Sequence, residues 1–189
     1  MGRFAVVYDA CVLYPAPLRD LLIELAGTNL YRAQWTSRIQ DEWIRNLLVN
    51  RPDLTAERLT RTRVLMDKSV PDCLVTNYEQ LEQCIELPDP DDRHVVAAAI
   101  KCRADAIVTF NLKDFPPSAL LPFELEAIHP DDFIICQIGL SSAKVCGAAK
   151  ACRERLRYPP KTVEEYLHTL EQQELPQTVS ALRYYSDLI

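Results

Sequence analysis

Ala104-Asp-Ala-Ile-Val-Thr-Phe-Asn-Leu-Lys-Asp-Phe115 is the stretch on which the fold turns. Ala104 to Phe110 is dominated by Ala, Ile, Val, Thr and Phe, the make-up of an interior strand. Asn111-Leu-Lys-Asp-Phe-Pro116 then reads as a loop, with Pro116 ending any extension of the strand. Immediately upstream, Val95-Val-Ala-Ala-Ala-Ile-Lys-Cys102 reads as a helix, entered through the turn Leu87-Pro-Asp-Pro-Asp-Asp92. There Asp89 can cap the helix, Pro90 suits its first position, and Asp91 and Asp92 sit at its positive end.

Outward from this helix–strand unit the same alternation continues. Phe4 to Val7 is a short apolar run ending in Tyr8-Asp9, a buried first strand. Leu18, Leu21, Leu22 and Leu25 repeat at helical spacing after Pro15 and Pro17, with Gly27 as the stop. Arg32 to Trp35 reads as a second strand. Ser37 and Gln40 match a capping box for a helix whose apolar stripe is Ile39, Trp43, Leu47 and Leu48. A more polar helix covers Ala56 to Lys68, Pro71 to Thr76 reads as a third strand, and Leu125 to Ile128 as the last. Strands alternating with helices predict an α/β fold, a central parallel sheet flanked by helices in three layers. Residues 141–189 are instead helical segments around Tyr158-Pro-Pro-Lys161, with Val163, Tyr166, Leu167 and Leu170 as one stripe. The expected division is therefore a domain over 1–140 and a helical C-terminal extension over 141–189.

Composition excludes several classes. At 189 residues with 48% hydrophobic and 25% charged, the chain has the balance of an ordinary soluble globular protein. Its apolar runs are too short to span a bilayer, no signal-peptide pattern is expected, and the cytoplasm is the expected location. The seven cysteines are irregularly spaced without a C-x-x-C, which argues against a zinc site or a disulfide framework. The net charge of −6 is not that of a protein that coats nucleic acid through bulk charge. The acidic excess lies in the first 140 residues, where a local cluster would suit a divalent cation that in turn meets phosphate.

Four acids occupy comparable places in this topology. Asp9 ends the first strand, Glu42 lies in the first turns of the helix after the second, and Asp92 opens the helix before the interior strand. Asp114 follows that strand, with Asn111 beside it. In an open parallel sheet, ligands bind beyond the carboxyl ends of the strands, and short right-handed connections bring helix starts to the same edge. Carboxylates crowded there repel one another, and a divalent cation removes the conflict. Hard oxygen donors select Mg²⁺ or Mn²⁺ over zinc.

At these residues the chain resembles the PIN-domain family. Val6-Val-Tyr-Asp9-Ala-Cys-Val-Leu13 is similar to the family's opening strand with its Asp-x-x-x-Leu. Asp89-Pro-Asp-Asp92-Arg-His-Val-Val-Ala-Ala-Ala99 is similar to the helix bearing its third acid, and residues 104–115 to its strand, Thr, Asn/Asp and Asp-Phe signature. Glu42, in Ile39-Gln-Asp-Glu-Trp43, matches the remaining acid. The likeness covers about residues 3–136, and the tail from Tyr158 to Leu167 resembles VapC-type toxins with C-terminal helices. It implies a Mg²⁺- or Mn²⁺-dependent endoribonuclease, the toxin of a toxin–antitoxin pair, with RNA as substrate, an antitoxin protein as partner and a homodimer as a possible state. Asp9, Glu42, Asp92 and Asp114 would hold metal and orient water, with Asn111 as a further ligand. Whether Asp91 or Asp92 is the third acid stays open.

Around these acids, Arg93 and Lys113 are candidates for phosphate contacts. Thr109 reads as a β-forming residue rather than a partner of an acid, and His94 as a core or surface histidine. The basic run Lys150, Arg153, Arg155, Arg157 and Lys161 reads as a solvated helix face. Two alternatives stand beside the nuclease. One is a catalytically inert PIN-like module that binds protein. The other is a haloacid-dehalogenase-type phosphatase, which wants an Asp where Cys11 stands.

Overall fold

The structure, a computed structural model, describes residues 3–189. These form two compact units. The first contains the described residues up to Tyr14 and Tyr31–His129; the second contains Pro15–Leu30 and Pro130–Ile189. The strands are β1 (Ala5–Tyr8), β2 (Arg32–Gln34), β3 (Ala106–Val108) and β4 (Glu126–Ile128). The helices of the first half of the chain are α1 (Ala10–Leu13), α2 (Ala16–Gly27), α3 (Ser37–Asn50) and α4 (Ala56–Ser69). They are followed by α5 (Arg93–Cys102), α6 (Pro117–Leu120), α7 (Pro130–Arg155), α8 (Val163–Glu171) and α9 (Pro176–Tyr184).

In the first unit the strands form a parallel sheet in the order β2-β1-β3-β4, flanked by helices. Val7 of β1 sits in register with Gln34 on one side and Ile107 on the other. Every residue of β1 and β3 is buried, as central strands require, whereas β2 and β4 at the edges are partly exposed. The chain leaves β1 for β2 on one side and later returns to β3 on the other. That reversal opens a crevice beyond the carboxyl ends of β1 and β3.

Local chemistry fixes the elements around it. The cap of α3 is Thr36, one residue before the expected Ser37, and its Oγ1 accepts the Ile39 N–H at 3.0 Å. Gln40 does not close a capping box; its Nε2 donates to Asp67 Oδ1 of α4 at 2.8 Å. Leu48 is 37% exposed and so lies off the stripe that Ile39, Trp43 and Leu47 bury. The expected strand at Pro71–Thr76 is reduced to one bridge, Trp35 to Leu74. Asp72 and Asn77, at φ 55° and 58°, bracket that segment with left-handed backbone that no strand continues through. Tyr8 stacks on Trp35 at 6.1 Å, and its hydroxyl meets that of Tyr31 at 2.5 Å, so the buried aromatic core also satisfies its polar tips.

The second unit is helical. Within α7 the backbone turns extended at Ser141, whose Oγ accepts the Lys144 N–H at 3.4 Å and starts a second helical half. Pro130–Leu140 belongs to the compact helical unit, and Phe133, Ile134 and Gln137 are buried. Helix α2 belongs to that unit too. Asp131, only 2% exposed, accepts the backbone N–H groups of Gln177 at 2.9 Å and Thr178 at 2.8 Å. It caps α9, whose own N-cap residue, Leu175, offers no side-chain acceptor. The basic run is largely occupied internally: Arg153 donates to the Lys161 carbonyl, Arg155 pairs with Glu24 and Lys161 donates to Thr169. Among the described residues no helix is long and apolar enough to cross a membrane, and no cysteine is in a disulfide.

Candidate active site

Asp9 sits at the carboxyl end of β1, where its extended backbone makes it the cap of α1. Its carboxylate is buried and held at both oxygens. Oδ1 accepts the Ala10 N–H at 2.6 Å, and Oδ2 accepts the Thr109 hydroxyl at 2.7 Å and the Cys11 thiol at 3.0 Å. Burial pushes the Asp9 carboxyl above its ordinary value; the hydrogen bonds from Cys11, Thr109 and Ala10 oppose that, and Glu42 adds to it.

Thr109 therefore does more than favour a strand. Besides donating to Asp9, its Oγ1 accepts the Asn111 N–H at 2.9 Å, so it ties the loop after β3 to the acid after β1. Cys11 strengthens the same tie by accepting the Phe110 N–H on its Sγ at 3.3 Å. Burial and the neighbouring Asp9 charge push the Cys11 thiol far up, so it serves as a neutral donor rather than a thiolate.

Glu42 reaches the crevice from the second turn of α3. His94, the second residue of α5, is wholly buried beside it, with Nε2 at 3.3 Å from Glu42 Oε1. Neither ring nitrogen has a hydrogen bond of regular geometry. Of the core and surface readings of His94, the core one holds, with a candidate site acid as its polar neighbour. Asp92 ends the short turn Pro90–Asp92 that Asp89 caps through the Asp91 N–H. Half-buried, it has its carboxyl pushed up to about 7 by burial first, then by the charges of Asp9, Asp89, Asp114 and Glu42.

Asp9, Glu42, Asp92 and Asn111 line a single cavity of about 360 Å³. Asp91 is exposed and does not line it. Asp114 also stands outside the lining, in the turn its N–H closes on the Asn111 carbonyl, although its charge reaches Asp92. Neither Arg93 nor Lys113 lines the cavity. The cation that does is Arg45, with Asn46, Asn50 and Tyr14 beside it. Arg45, Asn46 and Asn50 are legible in the sequence only as the positions three, four and eight beyond Glu42, on the helix face where Glu42 itself stands.

Among the described residues, no group of three or more His, Cys, Asp and Glu side chains is arranged to hold a metal ion. The donor chemistry nevertheless fits a hard divalent cation: three carboxylates and the Asn111 amide face one cavity, where burial first and then the neighbouring acids raise Asp92.

The profile of the family described as "PIN domain" matches residues 5–113, more than half of the chain. That described as "VapC50 C-terminal domain" matches residues 130–184. Among curated proteins, one from Mycobacterium tuberculosis carrying the name "Putative ribonuclease VapC50" is 42% identical over 96 residues, 49% of this chain and 54% of that protein. The chain thus spans about half the length of the curated relative it matches. No solved structure matches.

Proposed function

Because the chain belongs to the PIN-domain family, we propose that it is a divalent-metal-dependent endoribonuclease, the VapC-like toxin of a toxin–antitoxin pair. The observation that carries this is the convergence of Asp9, Glu42 and Asp92 on one cavity. They come from three separate segments, and burial together with the neighbouring charges keeps the Asp92 carboxyl from ionising normally. The relative's name supports RNA as the substrate; a protein antitoxin as the partner rests on the resemblance to VapC-type toxins.

Asp9, Glu42 and Asp92 would hold Mg²⁺ or Mn²⁺, with Asn111 and Asp114 at the periphery. The bound ion would shield the phosphodiester's charge and lower the pKa of the attacking water. The remaining work belongs to the chain. Thr109, Cys11 and the Ala10 N–H fix the Asp9 carboxylate so that it needs no reorganisation when substrate arrives. His94 flanks Glu42 on its buried side. Asp92, half-protonated near neutral pH when no cation is present, gives up its proton when a positive charge enters the cavity.

The test is cleavage of single-stranded RNA by the purified chain with Mn²⁺ or Mg²⁺, with EDTA, and after Asp9→Asn, each paired with a melting curve. Expected are cleavage that needs the ion and the acid, and a melting midpoint raised by millimolar Mn²⁺. A well-folded chain that cleaves no RNA and shows no shift with metal would leave the inert binding module as the better account.

A further inference from the structure

Resting on the nuclease assignment, we propose that the outer face of α3, together with Tyr14, is the wall that grips single-stranded RNA. Arg45 holds a phosphate next to the one being cleaved, and Tyr14 stacks on the neighbouring unpaired base. The first ground is placement. Arg45, Asn46 and Asn50 stand on the cavity beside Glu42, and Tyr14 completes that side from the end of α1.

The second ground is the state of Arg45. Other arginines of this unit on or near α3 are engaged: Arg38 with Glu82 at 3.2 Å, Arg51 with Asp53 at 2.7 Å and Arg63 with Asp41. Arg45 makes no ion pair or hydrogen bond among the described residues, although Asp9, Glu42 and Asp92 line the same cavity. A guanidinium that lines a cavity with carboxylates and pairs with none of them keeps its donors available to an anion. A phosphodiester suits its planar fork of donors.

The third ground is Tyr14. Asn50 Nδ2 donates to its hydroxyl at 3.3 Å, which joins the aromatic ring to the far end of the same helix face. An aromatic ring fixed at the rim offers the stacking surface that single-strand recognition uses, and stacking tolerates any base. From Glu42 to Asn50 the helix rises only about 12 Å at 1.5 Å per residue. The wall is therefore short, suited to the nucleotide beside the cut rather than to a long track.

The experiment uses the full chain carrying Asp9→Asn, so that RNA survives, and a fluorescent single-stranded RNA read by anisotropy across a salt series. Adding Arg45→Ala should weaken binding about 5- to 30-fold and flatten the log–log salt slope by about 1. Tyr14→Leu should weaken it about 5- to 100-fold with the slope unchanged. In the chain with Asp9 intact, Arg45→Ala should raise KM more than it lowers kcat, and the Mn²⁺-induced melting shift should stay at the parent value. Unaltered RNA affinity in both folded variants, or equal affinity for duplex and single strand, overturns the proposal. The nuclease assignment fails differently: the unsubstituted chain cleaves nothing with any divalent ion. That outcome removes the premise and the proposal together.

Discussion

Replacing Asp92 by Asn should stabilise the metal-free protein, and the gain should depend on pH. The Asp92 side chain makes no hydrogen bond at its helix start, so the amide breaks none. The carboxyl is raised from an ordinary 3.8 to about 7, so ionisation is penalised in the folded chain. Below the unfolded value both states carry the proton and nothing is relieved. Between the two values folding takes up a proton, and wild type loses stability as pH rises, until the whole penalty is present above about 7. At about 1.4 kcal/mol per tenfold change in proton affinity, the upper figure is roughly 4 kcal/mol. Asp92 is only half-buried and solvent screens its neighbours, which reduces this to about 1–2 kcal/mol. For a chain of this length that is a rise in melting midpoint of about 3–6 °C at pH 8 in EDTA. At pH 4 the gain should shrink to about a third. Melting of both proteins at the two pH values decides the matter. A variant no more stable than wild type at pH 8, or a gain of equal size at pH 4, would refute the idea that burial and neighbouring charge penalise this carboxylate.

Three further outcomes are expected. Thr109→Val keeps the shape but removes both the donor to Asp9 and the acceptor of the Asn111 N–H; it should cost about 1–3 kcal/mol in urea unfolding and about 10- to 100-fold in RNA cleavage. Thr109→Ser should recover most of both. Asp131→Ala strands the Gln177 and Thr178 N–H groups at the start of α9 and should cost about 1–3 kcal/mol, read as loss of the helical unit's protection in hydrogen exchange. His94→Leu removes a buried imidazole that has no regular hydrogen bond, so metal-free stability should change by less than about 1.5 kcal/mol. A larger fall in its melting midpoint would mean that the contact to Glu42 is a strong one.

The sequence carries the sheet and the acids unevenly. The central strands β1 and β3 are readable because a strand covered on both faces must be apolar at successive positions, as Val6, Val7, Ile107 and Val108 are. The turn into α5 is readable because Asp89 and Pro90 act over two or three residues. What depends on distant partners is not. Thr109 looks like any strand threonine until Asp9, a hundred positions away, supplies its acceptor. Gln40 fits a capping box locally, but Asp67 takes its amide. Pro71–Thr76 looks extended, yet left-handed backbone at Asp72 and Asn77 limits it to a single bridge. Helix α2 is evident in its leucine spacing, but no local signal says that it packs with residues beyond Pro130 rather than with the sheet it interrupts. Arg93 and Lys113 adjoin the acids in sequence yet stand outside the cavity, whereas helical periodicity puts Arg45 on the face of Glu42.

The bond from Thr109 to Asp9 also has a temporal side. During synthesis the ninth residue leaves the ribosome long before the hundred-and-ninth. Until β3 has docked against β1, the carboxylate swings freely in water and ionises like any other. A truncated product ending before that point would carry Asp9 without the means to aim it. Aiming this acid is therefore a late event in the making of the chain, whatever the acid then does.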